Sequence, residues 1–249
     1  MNIEQLPTAI IGVAGGISVG KTTLVENAVS DLYRIHFENL LKDYPHYPLH
    51  VGNYQERWDP DLLGLVREDP HTFAMPFQAD IVISSLTLEG LMRKKGGLAF
   101  LDRTMYEHRH VFGKVQHQRG ILTGKALEVY DLLFDVLAEN VPPPLAYVGL
   151  TATVDALKER IRRRGRPQEQ WMLGEDPYLY QLQDAYDHFF GDIVKEPVIT
   201  VDTNEIVLGD NGELDHKYFE QIFPYIAGEM RRLNILDVSK LRGIDYSPP

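Results

Sequence analysis

Gly15-Gly16-Ile17-Ser18-Val19-Gly20-Lys21-Thr22-Thr23 is the stretch on which the fold turns. It has the form G-x-x-x-x-G-K-[ST], follows the apolar run Thr8 to Ala14, and opens a helical pattern near Lys21. Glycines let backbone N–H groups converge on a phosphate without side-chain clash, and the following helix adds its positive N-terminal end. Lys21 suits the β- and γ-phosphates as a point charge, and the Thr22 hydroxyl suits Mg²⁺. A glycine-rich turn that merely joins strand to helix is the plain alternative. The lysine, the hydroxyl and the flanks together favour a cradle for a nucleoside triphosphate, ATP first, with Gly15 to Thr23 as its binding residues. Switches, motors and small-molecule kinases all use such a loop, so the loop alone leaves the reaction open.

Outward from this loop, short apolar runs ending in small or acidic residues alternate with stretches of helical period, the pattern of a parallel sheet covered by helices. Five strands are predicted: Thr8 to Ala14, Leu49 to Tyr54, Leu98 to Asp102, Leu145 to Leu150 and Pro197 to Asp202. Helices are predicted to begin near Lys21, Pro70, Gly124, Thr153 and Pro177, and the stretch Val25 to Leu41 reads as helix throughout. Asp202 to Asp215 reads as a loop or small hairpin, and His216 to Leu233 as a helix interrupted at Pro224. The fold class is α/β: a three-layer P-loop fold with a five-stranded parallel sheet and an arginine-rich lid. No Ser/Gly-rich linker divides the chain, so a single domain over residues 1–249 is expected, with the lid at about 160–172 and a C-terminal helix and tail at about 216–249.

The 249 residues carry 25 Lys and Arg against 36 Asp and Glu, a net charge of −11 that argues against binding nucleic-acid polymers or membrane surfaces through a broad cationic face. Without cysteine, disulfides, thiolate metal sites and cysteine nucleophiles are excluded. The first residues lack a basic segment and their apolar run is too short to span a bilayer, so a soluble, cytoplasmic protein is expected.

Two further features carry chemistry. Asp102, at the end of the third strand, belongs beside the phosphate loop if the strands are neighbours, which makes it a candidate for Mg²⁺, with Arg103 next to it for the acceptor or the moving phosphoryl group. A strand-end salt bridge is the alternative. Arg160, Arg162, Arg163, Arg164 and Arg166 lie within seven residues of an otherwise acidic chain. Arg160 and Arg164 share a helical face, and Arg166 lies beyond Gly165, a suitable hinge for a lid that closes over phosphates. A solvated basic face is the dull explanation.

In consistent order from residue 8 to 204, these motifs resemble the deoxynucleoside kinase family. They are the phosphate loop, Asp102-Arg103-Thr104 running on to Tyr106 and Arg109, the Arg164-Gly165-Arg166 lid with Glu169 and Gln170, Tyr178 to Leu182, and Val198 to Asn204. The resemblance implies transfer of the γ-phosphoryl of ATP, with Mg²⁺, to the 5′-hydroxyl of a deoxynucleoside, and a homodimer. It also implies a glutamate after the second strand as general base. Glu56 in Gln55-Glu56-Arg57-Trp58 takes that place, although its tryptophan follows sooner than is usual; Glu38 is the second choice, by its distance from Lys21. By the same resemblance Gln78 reads the base, Phe112 stacks on it and Glu169 holds the sugar 3′-hydroxyl. For Phe77 and Phe112 an ordinary core role remains open.

Three departures stand out. Arg67 replaces a tyrosine near the sugar, and Ser85 and His108 replace an arginine and an aspartate of purine-accepting members. Arg67 also permits an acceptor that already bears a phosphate. His108 and His110 lack a third ligand at helical spacing and are expected to be exposed polar residues. Two other functions compete: a nucleoside monophosphate kinase of the thymidylate kinase type, and a kinase fold retained only for binding. The second would be expected to have lost Lys21, Thr22 or the lid arginines, and all are present.

Overall fold

The structure is a computed structural model that describes residues 7–139, 141–204, 216–237 and 239. The N-terminal half runs β1 (Thr8–Gly15), α1 (Lys21–Ala28), α2 (Arg34–Leu41), β2 (Val51–Tyr54), α3 (Pro60–Glu68), α4 (Pro70–Lys95) and β3 (Gly97–Asp102). There follow α5 (Met105–Glu107), a π-helical turn His108–Gly113, α6 (Lys114–Gln118), α7 (Gly124–Ala138) and β4 (Ala146–Thr151). The chain continues through α8 (Val154–Arg164), a 3-10 stretch Pro167–Leu173, α9 (Tyr178–His188), a π turn Phe189–Ile193, β5 (Val198–Asp202) and α10 (His216–Arg232). The five strands form one parallel sheet in the order β2-β3-β1-β4-β5, close to the ranges predicted.

Every residue of β1 is buried, because the central strand is covered on both faces. Its alternate side chains serve different layers. Ala9, Ile11 and Val13 join Phe100, Val148 and Ile199 against α1, α2 and α10, where Phe37, Tyr33 and Phe223 are fully buried. Ile10 packs with Leu88 and Met92 of α4, and Ala14 with Leu182, Ala185 and Tyr186 of α9. This is the three-layer α/β arrangement. All five strands run the same way, so their C-terminal ends lie along one edge, where ligands of such sheets gather.

Several expectations need correction. Val25 to Leu41 is two helices rather than one: the Ser30 backbone N–H and side-chain hydroxyl both donate to the Asn27 carbonyl, which ends α1, and α2 restarts at Arg34. Helix α10 continues through Pro224. A proline inside a helix costs about 3 kcal/mol, whereas burying Phe219, Phe223 and Ile226 contributes about 1.5–3 kcal/mol each, so packing wins. Helix α3 was not anticipated, although its signal was present. The Asp59 carboxylate accepts from the N–H groups of Asp61 and Leu62 with Pro60 in the first helical turn, the same Asp-Pro start that Asp69-Pro70 provides for α4. The expected loop or hairpin up to Asp215 lies largely outside the described residues, as does the tail beyond 239.

Candidate active site

The bend after β1 is set by glycine. Gly15 has φ 148°, and a Cβ there would lie 2.4 Å from the Leu150 carbonyl oxygen; Gly20, φ 105°, caps α1. Ser18 is also left-handed at φ 64°. Lys21 is buried and folds back over the loop, its Nζ donating to the carbonyls of Gly15 at 2.7 Å and Gly16 at 2.8 Å. Burial first, and then the Arg103 guanidinium, pull its pKa down to about 8.

β3 is the neighbour of β1, and Asp102 stands in register with Val13. The Thr22 hydroxyl donates to Asp102 Oδ2 at 2.5 Å, while Asp102 Oδ1 is buried without a hydrogen-bond partner among the described residues. Arg103 adopts φ 62°, a left-handed backbone that costs an ordinary side chain about 1–2 kcal/mol. That conformation turns its guanidinium onto the Glu56 carboxylate, where it also lies 4.6 Å over the Phe112 ring. Although burial works against it, Glu56 followed by Tyr186 raises the Arg103 pKa, so the guanidinium keeps its charge.

Glu56 lies just beyond β2 with 14% of its side chain exposed. His108 approaches its other carboxylate oxygen, Nε2 to Oε1 3.4 Å. Contrary to the expectation of exposure, His108 is buried and His110 half-buried. Burial, then Arg103, drives the His108 pKa down to about 3, so this imidazole is neutral at physiological pH. Glu38 is elsewhere: on α2 it pairs with Arg34 at 2.8 Å, outside the cavity.

The acceptor side is built by α4 and the π turn. Gln78 is buried and its Oε1 accepts from the Tyr130 hydroxyl at 3.4 Å. Phe77 and Phe112 both line the cavity rather than only the core. Ser85 faces its own helix, its hydroxyl donating to the Ile81 carbonyl. Arg67 on α3 reaches over the cavity to the lid and donates to the Gln168 carbonyl at 3.1 Å.

The lid begins where Gly165, φ 66°, ends α8. Arg164 pairs with Glu169, which Arg166 also approaches at 3.7 Å. Arg160 is not free to travel with them, because it donates to the hydroxyl and carbonyl oxygens of Thr203 after β5.

These groups share one cavity of about 1580 Å³. Its walls hold Ile17 to Thr23, Glu56, Arg67, Gln78, Asp102, Arg103, His108, Phe112, Arg160, Arg164, Arg166 and Glu169, while the backbone carbonyls of Gly15 and Gly16 hold Lys21 beneath it. Eight Lys and Arg side chains face four acids there, in a chain whose net charge is −11, so the cavity is built for an anionic ligand. Arg163 and Tyr178, which the sequence placed in motifs without a site role, also line the cavity, as do Trp171 and Arg119, which it did not single out. Arg119 grips Asp176 with two bonds at 2.9 and 2.8 Å, donates to Gln181 and stacks over Tyr178, tying α6 to the root of the lid. Nothing local marks Arg119, since its partners lie more than fifty residues away.

A phosphate loop at the C-terminal edge of a parallel sheet, facing a carboxylate and an arginine lid across one cavity, defines a P-loop phosphotransferase. A family model described as deoxynucleoside kinase matches residues 11–225, and the chain belongs to that family. Over 222 residues it is 23% identical to the deoxyadenosine/deoxycytidine kinase of Bacillus subtilis, covering 87% of this chain and 93% of the relative. It is 28% identical over 207 residues to the deoxyadenosine kinase of Dictyostelium discoideum, covering 82% and 76%, and 29% identical over 120 residues to the deoxyguanosine kinase of Bacillus subtilis, covering 47% and 56%. The activity is that of an ATP-dependent deoxynucleoside kinase. Among the described residues no helix is long and apolar enough to cross a membrane.

Proposed function

We propose that the single domain, residues 1–249, transfers the γ-phosphoryl of ATP to the 5′-hydroxyl of a deoxynucleoside, with Glu56 as the general base. The observation that carries this reading is the placement of Glu56, held by Arg103 and opening into the cavity that the phosphate loop also lines. Lys21 neutralises the β- and γ-phosphates, and the backbone N–H groups of Gly15 to Thr23 cradle them. Arg103, Arg160, Arg164 and Arg166 spread cationic charge around the moving phosphoryl group. Gln78 addresses the base edge with its amide, Phe112 stacks on the base, and Glu169 takes the sugar 3′-hydroxyl once Arg164 turns to phosphate. His108 sits beside Glu56 as a neutral group and Arg67 over the acceptor site as a tie to the lid.

Magnesium fits the residues present. Thr22 and Asp102 would hold it, because Asp102 Oδ1 is a buried oxygen with no hydrogen-bond partner among the described residues and oxygen donors such as hydroxyl and carboxylate suit this cation. The chemistry such a cation would supply, held by Thr22 and Asp102, is neutralisation of the charge that develops on the phosphates.

Glu56→Gln should lower kcat by about 10²–10⁴-fold with ATP binding nearly intact, while Glu38→Gln leaves kcat unchanged. The reverse pattern overturns the assignment of the base. Parallel assays with deoxynucleosides and their monophosphates test the acceptor, and turnover of monophosphates alone rejects it.

A homodimer and cytoplasmic action complete the reading. Val129, Leu132 and Val136, spaced three and four residues apart on α7, are exposed, as are Ile83 and Leu91 on the adjoining α4. A paired copy would cover such a face. Leu132→Glu should convert the dimer to monomer in sedimentation analysis.

A further inference from the structure

Arg103 combines an unfavourable backbone conformation with a guanidinium that meets Glu56, and the residues that tie its turn down do not line the cavity. Its own N–H is tied to the Val13 carbonyl at 3.2 Å. The next N–H, that of Thr104, donates to Glu107 Oε2 at 3.0 Å, and the Thr104 hydroxyl oxygen accepts from the Glu107 N–H at 3.4 Å, which closes a capping box at the start of α5. Glu107 is itself completely buried, and its second oxygen, Oε1, accepts from the Tyr186 hydroxyl of α9 at 2.9 Å. Surface capping boxes need no such third partner. Here both oxygens of a buried carboxyl are engaged, one on the turn and one on a helix about eighty residues later in the chain. Burial pushes the Glu107 carboxyl above its ordinary range, while the charges of Lys21 and Arg103 oppose that shift.

We infer that Glu107, fixed by Tyr186, is a positioning residue for phosphoryl transfer: it clamps the Arg103-Thr104 turn so that Arg103 keeps its strained backbone and meets Glu56. Glu107 does not line the cavity and acts through Arg103. The hydrogen bonds carry the effect rather than the charge: in Glu107→Gln the amide oxygen accepts from the Thr104 N–H while the NH2 donates to the Tyr186 hydroxyl oxygen, which reverses the second bond but keeps both contacts. A displacement of about 1 Å in a reacting constellation costs about 10²-fold in rate, the scale a loosened turn produces. The inference rests on Glu56 being the proton acceptor.

The experiment compares kcat, both KM values and melting temperature for Glu107→Ala, Glu107→Gln and Tyr186→Phe. Glu107→Ala should lower kcat about 100-fold with the KM for ATP within about threefold of the original, since the cradle is untouched. Glu107→Gln should recover activity to within about fivefold, and Tyr186→Phe should lower kcat about fivefold with little loss of melting temperature. If Glu107→Ala does not fold, Tyr186→Phe and Glu107→Gln still decide. A Glu107→Gln enzyme with about the 100-fold loss expected of Glu107→Ala, a Tyr186→Phe enzyme with unaltered kcat, or a loss in Glu107→Ala explained wholly by its unfolded fraction overturns the inference. Glu56→Gln separates the two levels: an active Glu56→Gln sinks the base assignment, whereas an inactive Glu56→Gln beside a fully active Glu107→Ala sinks only the role of Glu107.

Discussion

The cradle and the lid both carry concentrated charge, yet they are held in opposite ways. In the cradle the partners come from distant segments and are wholly or partly shielded from solvent: Thr22 with Asp102 and Glu56 with Arg103 part-buried, Glu107 with Tyr186 buried. In the lid the pairs are local and more exposed: Arg162 and Arg163 with Glu159, Arg164 with Glu169. A buried pair broken on one side costs about 3–5 kcal/mol, while an exposed pair is worth about 0–1 kcal/mol. The cradle is therefore preset before substrate arrives. On the proposed function, the lid arginines would exchange their neighbouring glutamates for phosphate oxygens at little cost.

The sharpest way to break this contrast is to make the same substitution on each side. Arg103→Ala should lower kcat by about 10³-fold and also destabilise the fold by about 2–3 kcal/mol in denaturant titration, because it removes the partner of the part-buried Glu56. Arg164→Ala should lower kcat by about 10²-fold with a stability change below about 1 kcal/mol. Equal stability losses would erase the distinction between preset and exchangeable charge. Arg119→Ala, at the hinge between the two regions, should lower kcat/KM by about tenfold, because the bidentate grip on Asp176 anchors the lid and its loss costs about 1.5–3 kcal/mol.

One effect needs no substitution and depends on pH. Lys21 has its pKa lowered to about 8, so the free enzyme holds the charged form below that value and loses it as pH rises through it. The kcat/KM for ATP should fall toward tenfold per unit above about pH 8, with kcat less affected because bound phosphate favours the protonated lysine. A flat kcat/KM profile to pH 9.5 contradicts the burial argument.

How much of this was legible beforehand differs residue by residue. The phosphate loop reads directly because its glycines, lysine and threonine all lie within one short segment. The five strands read well because strands covered on both faces are continuous apolar runs. The Asp59-Pro60 start of α3 was legible in principle, since it repeats the signal of Asp69-Pro70. The break at Asn27 and Ser30 and the passage of α10 through Pro224 were not, because local preference and core packing point in opposite directions there and packing is long-range. His108 was misread for a related reason. An imidazole with no metal-binding neighbours reads as exposed, yet the π turn brings it beneath Arg103 and beside Glu56.

The amino-acid order by itself determined the cradle, the alternation of strands and helices, and the supply of arginines, because each depends on residues within a turn or two of one another. Only the tertiary structure decided that Glu56 and not Glu38 opens onto the cavity, that Arg160 is tied to Thr203 while Arg164 is not, and that Glu107 meets Tyr186 under the strained Arg103. Those outcomes depend on which strand ends become neighbours and which side chains lose their water, and both are properties of the assembled sheet rather than of any segment of it.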